Sequence, residues 1–367
     1  MILKNKKVNK KSIIINAIII LLVAGFTIFY LAKNNIITAQ SLSQVGVWQY
    51  IALFMLFMFT FCIVSLIDFL VYRKFSKRMN YGRCFINTLC GNLGSNVTPF
   101  RSAHFPMMLY YQSRVGIPLT TSAVALIKCQ IIYSITSIIV YVIIATILAI
   151  MNVTIVFYNV TVALWLVACV GLAFHGAVFV IVVLLAFSKR VQRSFINTTT
   201  SIYKKFSKKF NAQEYRAETL AQLEIYREQL LEIIKRAHRY LPHCLMYVVY
   251  LILQGSIQYF AYLLLTNALF DISMLAKFYT LNLTSTYITN VIPLPGGTGT
   301  AEVLFSMVFV SVIPDVMMGA TIILWRVATY YVPIIIEFII FAIACIKKKA
   351  TKQTFKELNQ SNEIETQ

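Results

Sequence analysis

Long apolar runs separated by short basic blocks dominate the chain. Runs at 13–32, 47–72, 120–148, 160–187, 243–267 and 317–345 hold few charged residues. Each approaches or exceeds the roughly 20 mostly apolar residues that carry a helix across a bilayer. Spanning helices are predicted at all six. Two further apolar stretches, 84–119 and 270–314, carry proline, glycine and asparagine where a plain span would not. Residues 95–100 read SNVTPF and residues 289–294 read TNVIPL, 194 positions apart, with Gly94 before the first copy and Pro295, Gly296 and Gly297 after the second. Proline removes a backbone donor and glycine weakens a helix. Non-helical backbone at membrane depth is tolerated only where protein or a water-filled cavity satisfies it. Both stretches therefore read as re-entrant segments lining a cavity, the first dipping in from the cytoplasm and the second from outside. The fold expected is an all-α polytopic membrane protein of about six to eight transmembrane helices.

The resemblance between the two stretches continues downstream. After Asn96 and Pro99 come Ile117-Pro118 and then Lys128 in an apolar helix; after Asn290 and Pro293 come Ile313-Pro314 and then Arg326. This order suggests an inverted-topology repeat, which in transporters places a substrate between half-helix ends near the midplane. Its re-entrant turns would be built on Pro99, Pro293, Pro295, Gly296, Gly297 and Gly299. A cation at membrane depth costs about 2.5–3.5 kcal/mol on insertion and is usually paired or functional. Arg101, Arg326 and Lys128, with Asn96 and Asn290, are accordingly candidates for holding an anionic lipid headgroup, since a phosphate suits converging guanidinium groups and helix N-termini. Two readings stay open for Glu302: a carboxylate favoured in the first turn of its helix, or a cavity group that meets a substrate ammonium or pairs with Arg326. Asp68 and Glu337 are read as structural, snorkelling to the interface from near helix ends.

Charge fixes an orientation. Lys and Arg number 33 against 13 Asp and Glu, a net +20, but the cations sit in blocks beside apolar runs: Lys4 to Lys11, Arg73 to Arg78, Lys189 to Lys209 and Lys347 to Lys349. That is the positive-inside pattern rather than a nucleic-acid footprint. It places both termini and the 188–241 segment in the cytoplasm of a multi-pass protein. The domain expected spans residues 1–346, with 188–241 as a cytoplasmic insert and 347–367 as a polar tail. Within the insert, Leu220, Leu223, Leu230, Ile234, Ala237 and Leu241 recur at helical spacing among charged residues, predicting an amphipathic helix over 211–241. The seven cysteines and four histidines show no ligand spacing, and PGGTGT lacks the Lys-Ser or Lys-Thr of a nucleotide loop. No metal, cofactor or nucleic-acid partner is expected.

Several motifs also resemble a family. FINTLCGNLGSNVTPFRSAHFPMMLYYQSRVGIPL, TNVIPLPGGTGTAEVLF and LWRVATYYVPI are similar, in this order, to signatures of lysylphosphatidylglycerol synthase-type membrane domains, and the resemblance runs from about residue 47 to 345. It implies the flippase-like domain of multiple-peptide-resistance factors, which moves aminoacylated phosphatidylglycerol across the bacterial plasma membrane and so contributes to surface charge and cationic-peptide resistance. It points at Thr98, Pro99, Arg101, Pro106, Pro295, Gly296, Gly297, Gly299, Glu302, Trp325, Arg326, Tyr330 and Tyr331. Ser102-Ala103-His104-Phe105 departs from the family's commoner Gly-Gly-Gln. The short tail after the last helix leads us to expect no aminoacyl-transfer domain. The alternative reading is a membrane enzyme or a subunit of the phosphatidylglycerol lysyltransferase type. A membrane phospholipid is the expected partner, with a separate lipid synthase or a second copy of the chain left open.

Overall fold

The computed structural model describes residues 43–157, 160–206, 211–292 and 294–346, with a few isolated positions before residue 43. The span expected at 13–32, Pro293 and the tail at 347–367 lie outside the described residues, apart from isolated positions in the first.

Helix α1 (Val47–Tyr72) is followed by a first pair of shorter helices, α2 (Tyr81–Val97) and α3 (His104–Arg114), and then by α4 (Leu119–Ile150). At 32 residues, α4 is about 48 Å long. Strands β1 (Thr154–Phe157) and β2 (Val160–Ala163) pair antiparallel ahead of α5 (Leu164–Phe187). The span expected from residue 160 thus begins four residues later, because the β-branched residues Thr154, Ile155, Val156, Val160, Thr161 and Val162 favour a pleated pair over helix.

Helices α6 (Lys189–Phe206) and α7 (Ala212–Lys235) form the insert, and α7 packs against α4, α5 and α6. Its buried face is Leu230 and Ile233, with Tyr226 packed beside them. Ile234, expected on that face, is 60% exposed. The amphipathic helix also ends earlier than expected, at a non-helical Arg236.

Helices α8 (Ala237–Gly255) and α9 (Ile257–Thr266) replace the single span expected at 243–267 and meet at 47°. The carbonyl freed at Gly255 accepts a hydrogen bond from Asn282 Nδ2 at 3.0 Å, a satisfied break of the kind that kinks a helix. A second short pair, α10 (Ile272–Val291) and α11 (Thr300–Phe309), precedes α12 (Asp315–Arg326). A wider π turn at Val327–Tyr331 joins α12 to α13 (Val332–Ile346). Among the described residues, four helical stretches are long and apolar enough to cross a membrane, and the bent α8–α9 pair makes a fifth. The protein is an all-α, multi-pass membrane protein apart from its small β hairpin.

Two apolar cores mark the ends of the bundle. One gathers Ile67, Tyr72, Met79, Ile117, Leu126 and Ile131 around the start of α4. The other gathers Ala145 and Leu148 at the far end of α4 with Phe278, Phe309, Ile313 and Met318. The open end of the α2–α3 pair therefore lies by one end of α4, and that of the α10–α11 pair by the other. Both stretches singled out by their prolines are hairpins inserted from opposite ends.

Candidate functional site

Each hairpin turns on a proline-led 3₁₀ turn. Pro99–Arg101 joins α2 to α3, and Pro295–Gly297 joins α10 to α11. Phe100 and Arg101 both have φ of +55°, and Gly296, Gly297 and Gly299 have φ of +59°, +65° and +86°. The second tip uses glycine for the left-handed region, where it is unstrained. The first places two L-residues there, an uncommon conformation that persists only when the surroundings impose it. Thr98 supplies part of that imposition: its hydroxyl donates to the Gly94 carbonyl at 2.6 Å and accepts from the Ala103 N–H at 3.0 Å.

The repeat is real in geometry but shifted from its sequence register. The turns begin at Pro99 and Pro295, the following helices at His104 and Thr300, and the next long helices at Leu119 and Asp315. All three offsets are 196 residues, as is that between Ile117-Pro118 and Ile313-Pro314. The counterpart of Pro99 is thus Pro295 and not Pro293. The position matching Arg326 is Gln130, not Lys128.

The two tips touch. Tyr330, in the π turn, joins them: its hydroxyl stands 2.8 Å from Thr298 Oγ1 of the second tip and 3.3 Å from the Asn96 carbonyl at the end of α2. The same ring leaves no room for a side chain at Gly296, where a Cβ would collide with it.

A cavity of about 450 Å³ opens beside the tips. Arg101, Arg326, Asn96 and Asn290 all line it, as do Asn92, Gln254, Gln258 and Asn282. Tyr133, Tyr141, His175 and Tyr250 add rings to the lining. No carboxylate lines it among the described residues. Arg101 is exposed, whereas Arg326 is 6% exposed. The wall therefore offers cations, amides and rings.

Glu302 combines its first-turn role with the pairing to Arg326, but it does not line the cavity. Its Oε2 accepts from the Gly299 N–H at 2.8 Å, the first-turn role, and its Oε1 accepts from Arg326 Nε at 2.7 Å. Tyr331 donates to the same Oε1 at 3.4 Å. Both oxygens are occupied and the residue is 3% exposed, so Glu302 meets no ammonium in this conformation. Arg326 lies over the rings of Tyr330 and Trp325, 4.5 and 5.1 Å from their centroids. Its Nη2 is buried with no hydrogen-bond partner. A guanidinium has five donors, and this one keeps capacity for an acceptor in the cavity.

Lys128 stands elsewhere. Its Nζ donates to Glu232 Oε2 of α7 at 2.6 Å and lies 5.0 and 5.6 Å from the Phe75 and Tyr240 rings. Tyr240 donates to the other oxygen of Glu232 at 2.9 Å. This pairing accounts for the burial of Lys128 and fastens the insert to α4. Burial works against ionisation of Glu232, but hydrogen bonds from Lys128 and Tyr240 outweigh it and hold the carboxyl below its usual value.

Asp68 and Glu337 do not snorkel. They are 3% and 1% exposed, because helix packing encloses both positions. The cavity amides Asn92, Gln254, Gln258 and Asn282 went unmarked in the sequence reading. Their signal was the uncharged polar side chain set within an apolar helix, a common bond between helices in membranes: Gln254 accepts from Thr60 Oγ1 at 3.1 Å, and Gln258 donates to Asn282 at 2.7 Å.

No curated protein matches the sequence. The profile of the family described as the lysylphosphatidylglycerol synthase TM region does match, over residues 13–336. With its paired hairpins and the polar cavity between them, the chain belongs to that family.

Proposed function

We infer that the protein is a translocase for phospholipids with a phosphate-bearing headgroup. The observation that carries this reading is the meeting of two opposed hairpin tips at a cavity lined by Arg101 and Arg326. A headgroup enters this polar space while its acyl chains stay in lipid, the orientation that the hydrophobic effect demands. Arg101, exposed at the first tip, meets the phosphate first. Arg326 then offers Nη2 from a water-poor site, where a charge-assisted hydrogen bond is stronger than in water. Alternating release of the two tips carries the headgroup across. Family membership supports aminoacylated phosphatidylglycerol as a cargo and the bacterial plasma membrane as the location, with both termini cytoplasmic as the basic blocks suggest.

Reconstitution of the full chain into liposomes containing fluorescent phosphatidylglycerol or its lysyl ester, with a leaflet-selective quencher, tests the reading. Wild type accelerates exchange between leaflets, and Arg101→Ala slows it at least tenfold without changing the lipid content. Exchange no faster than in protein-free liposomes overturns the translocase reading.

A further inference from the structure

The cavity has a titratable neighbour that this mechanism does not use. Glu337 lies within the long apolar span Asp315–Ala344 and is 1% exposed. Asn92 Nδ2 donates to its Oε1 at 2.7 Å, while its Oε2 is buried with no partner. Asn92 itself lines the cavity. The acid thus sits one side chain behind the wall that the headgroup touches.

No ion pair reaches Glu337 among the described residues. Its helix packs on α2, α3 and the π turn. On α2, Arg83 donates to the Arg78 carbonyl and Tyr81 to that of Cys62, while Cys84 and Cys90 are buried thiols. On α3, His104 is bound to Gly91 and Ser95, and Tyr110 packs on Phe341. Tyr111 and Arg114, also on α3, have interactions of their own. In the π turn, Tyr330 and Tyr331 face Thr298 and Glu302. A carboxyl at membrane depth with one amide donor and one bare oxygen is poorly compensated when ionised. Gaining or losing a proton there changes the energy of the surrounding packing.

We propose that Glu337 is a proton-binding site coupled through Asn92 to the headgroup cavity and the first hairpin. In the forward step a hydronium ion in the cavity gives its proton to Oε2, forming the O–H bond and leaving as water. Release reverses this when cavity water reaches the acid. Because Asn92 lies on the helix that ends at Val97 and carries Asn96, the Tyr330 contact, in its last turn, protonation biases how the first tip sits against the second. Asp68, in α1, is the other buried acid in a span among the described residues, but neither it nor Cys129, its hydrogen-bond partner, lines the cavity, so it does not share this coupling.

The coupling rests on the translocase reading, whereas the proton site can be measured without any transport. Infrared difference spectra of the full chain in nanodiscs, recorded while pH is varied, should show a carboxylic C=O band that titrates in wild type. The band should be missing in Glu337→Gln and displaced in frequency in Asn92→Leu, a variant that keeps the acid. No titrating band, or a band that survives Glu337→Gln, overturns the proton site even if lipid moves. For the coupling, an imposed pH gradient should change wild-type lipid exchange in liposomes severalfold and leave Glu337→Gln unaffected. Equal gradient sensitivity in both overturns it, as does insensitivity in an active wild type. Protein without exchange activity but with the titrating band retains the proton site and loses the translocase reading.

Discussion

Replacing Glu302 with alanine isolates the one ion pair at the heart of the site. The side chains of Glu302 and Arg326 are 4% and 7% exposed and meet at 2.7 Å. Removing one partner of such a pair strands a buried charge, a loss of about 3–5 kcal/mol. Glu302→Ala also leaves the Gly299 N–H without its acceptor and belongs at the upper end. Arg326→Ala leaves a carboxylate that still accepts from Gly299, and belongs at the lower. Replacing both together, Glu302→Leu with Arg326→Met, removes the charge and keeps the volume, so the stranded Gly299 N–H, about 1–3 kcal/mol, is the main loss that remains. The loss in the double variant should therefore fall short of the sum of the two single losses, about 5 and 3 kcal/mol, by about 5 kcal/mol or more. Reversible denaturant unfolding in mixed micelles, monitored on the four proteins, supplies the measurement. Effects that add to within about 0.5 kcal/mol would refute the view that each charge is there to neutralise the other.

Other consequences are smaller but equally direct. Phe100→Gly and Arg101→Gly relieve left-handed backbone at +55°, worth about 1–2 kcal/mol less about 0.5–1 kcal/mol of added unfolded-chain entropy; both proteins should unfold at higher denaturant, and Arg101→Gly should at the same time lose headgroup retention. A destabilised Phe100→Gly would show that the turn is not strained. Gly296→Ala, at +59° and against the Tyr330 ring, should lose more than about 1 kcal/mol and separate the tips, read as faster deuterium uptake at residues 94–101 and 295–300. Glu232 has a lowered folded-state value, so its contribution is present above the unfolded Glu value of about 4.3 and fades as pH falls through the folded one. Amide exchange in α7 should accelerate over that acid range in wild type, and Glu232→Gln should be loose already at neutral pH.

The places where sequence and structure part company share a physical cause. Apolar length marks a helix that crosses, and 47–72, 120–148 and 317–345 were legible within a few residues of Val47–Tyr72, Leu119–Ile150 and Asp315–Ala344. Proline and glycine marked the hairpins for the same reason: they suit turns poorly served by helix. What the letters hid was which proline turns. Asn-Val-x-Pro occurs twice, but in the second copy Ile292 and Leu294 are extended and carry the chain on to Pro295-Gly296-Gly297, whose glycines take the positive φ that the turn needs. The two-residue slip follows, and with it the mistaken match of Lys128 to Arg326. A lysine and an arginine in apolar helices look alike until partners are known. One is held by a carboxylate from the insert 104 residues away, the other by a carboxylate 24 residues away beside the cavity.

One phenolic oxygen, that of Tyr330, bridges the contact between the tips. Tyr330 lines the cavity, so an arriving phosphate oxygen can accept the phenolic hydrogen in place of the Asn96 carbonyl, and a water can replace either partner, without leaving the hydroxyl bare. Such a swap of partners is nearly isoenergetic, within about 1 kcal/mol. In the translocase reading, the seam between the tips is therefore one that an arriving headgroup is chemically equipped to unfasten.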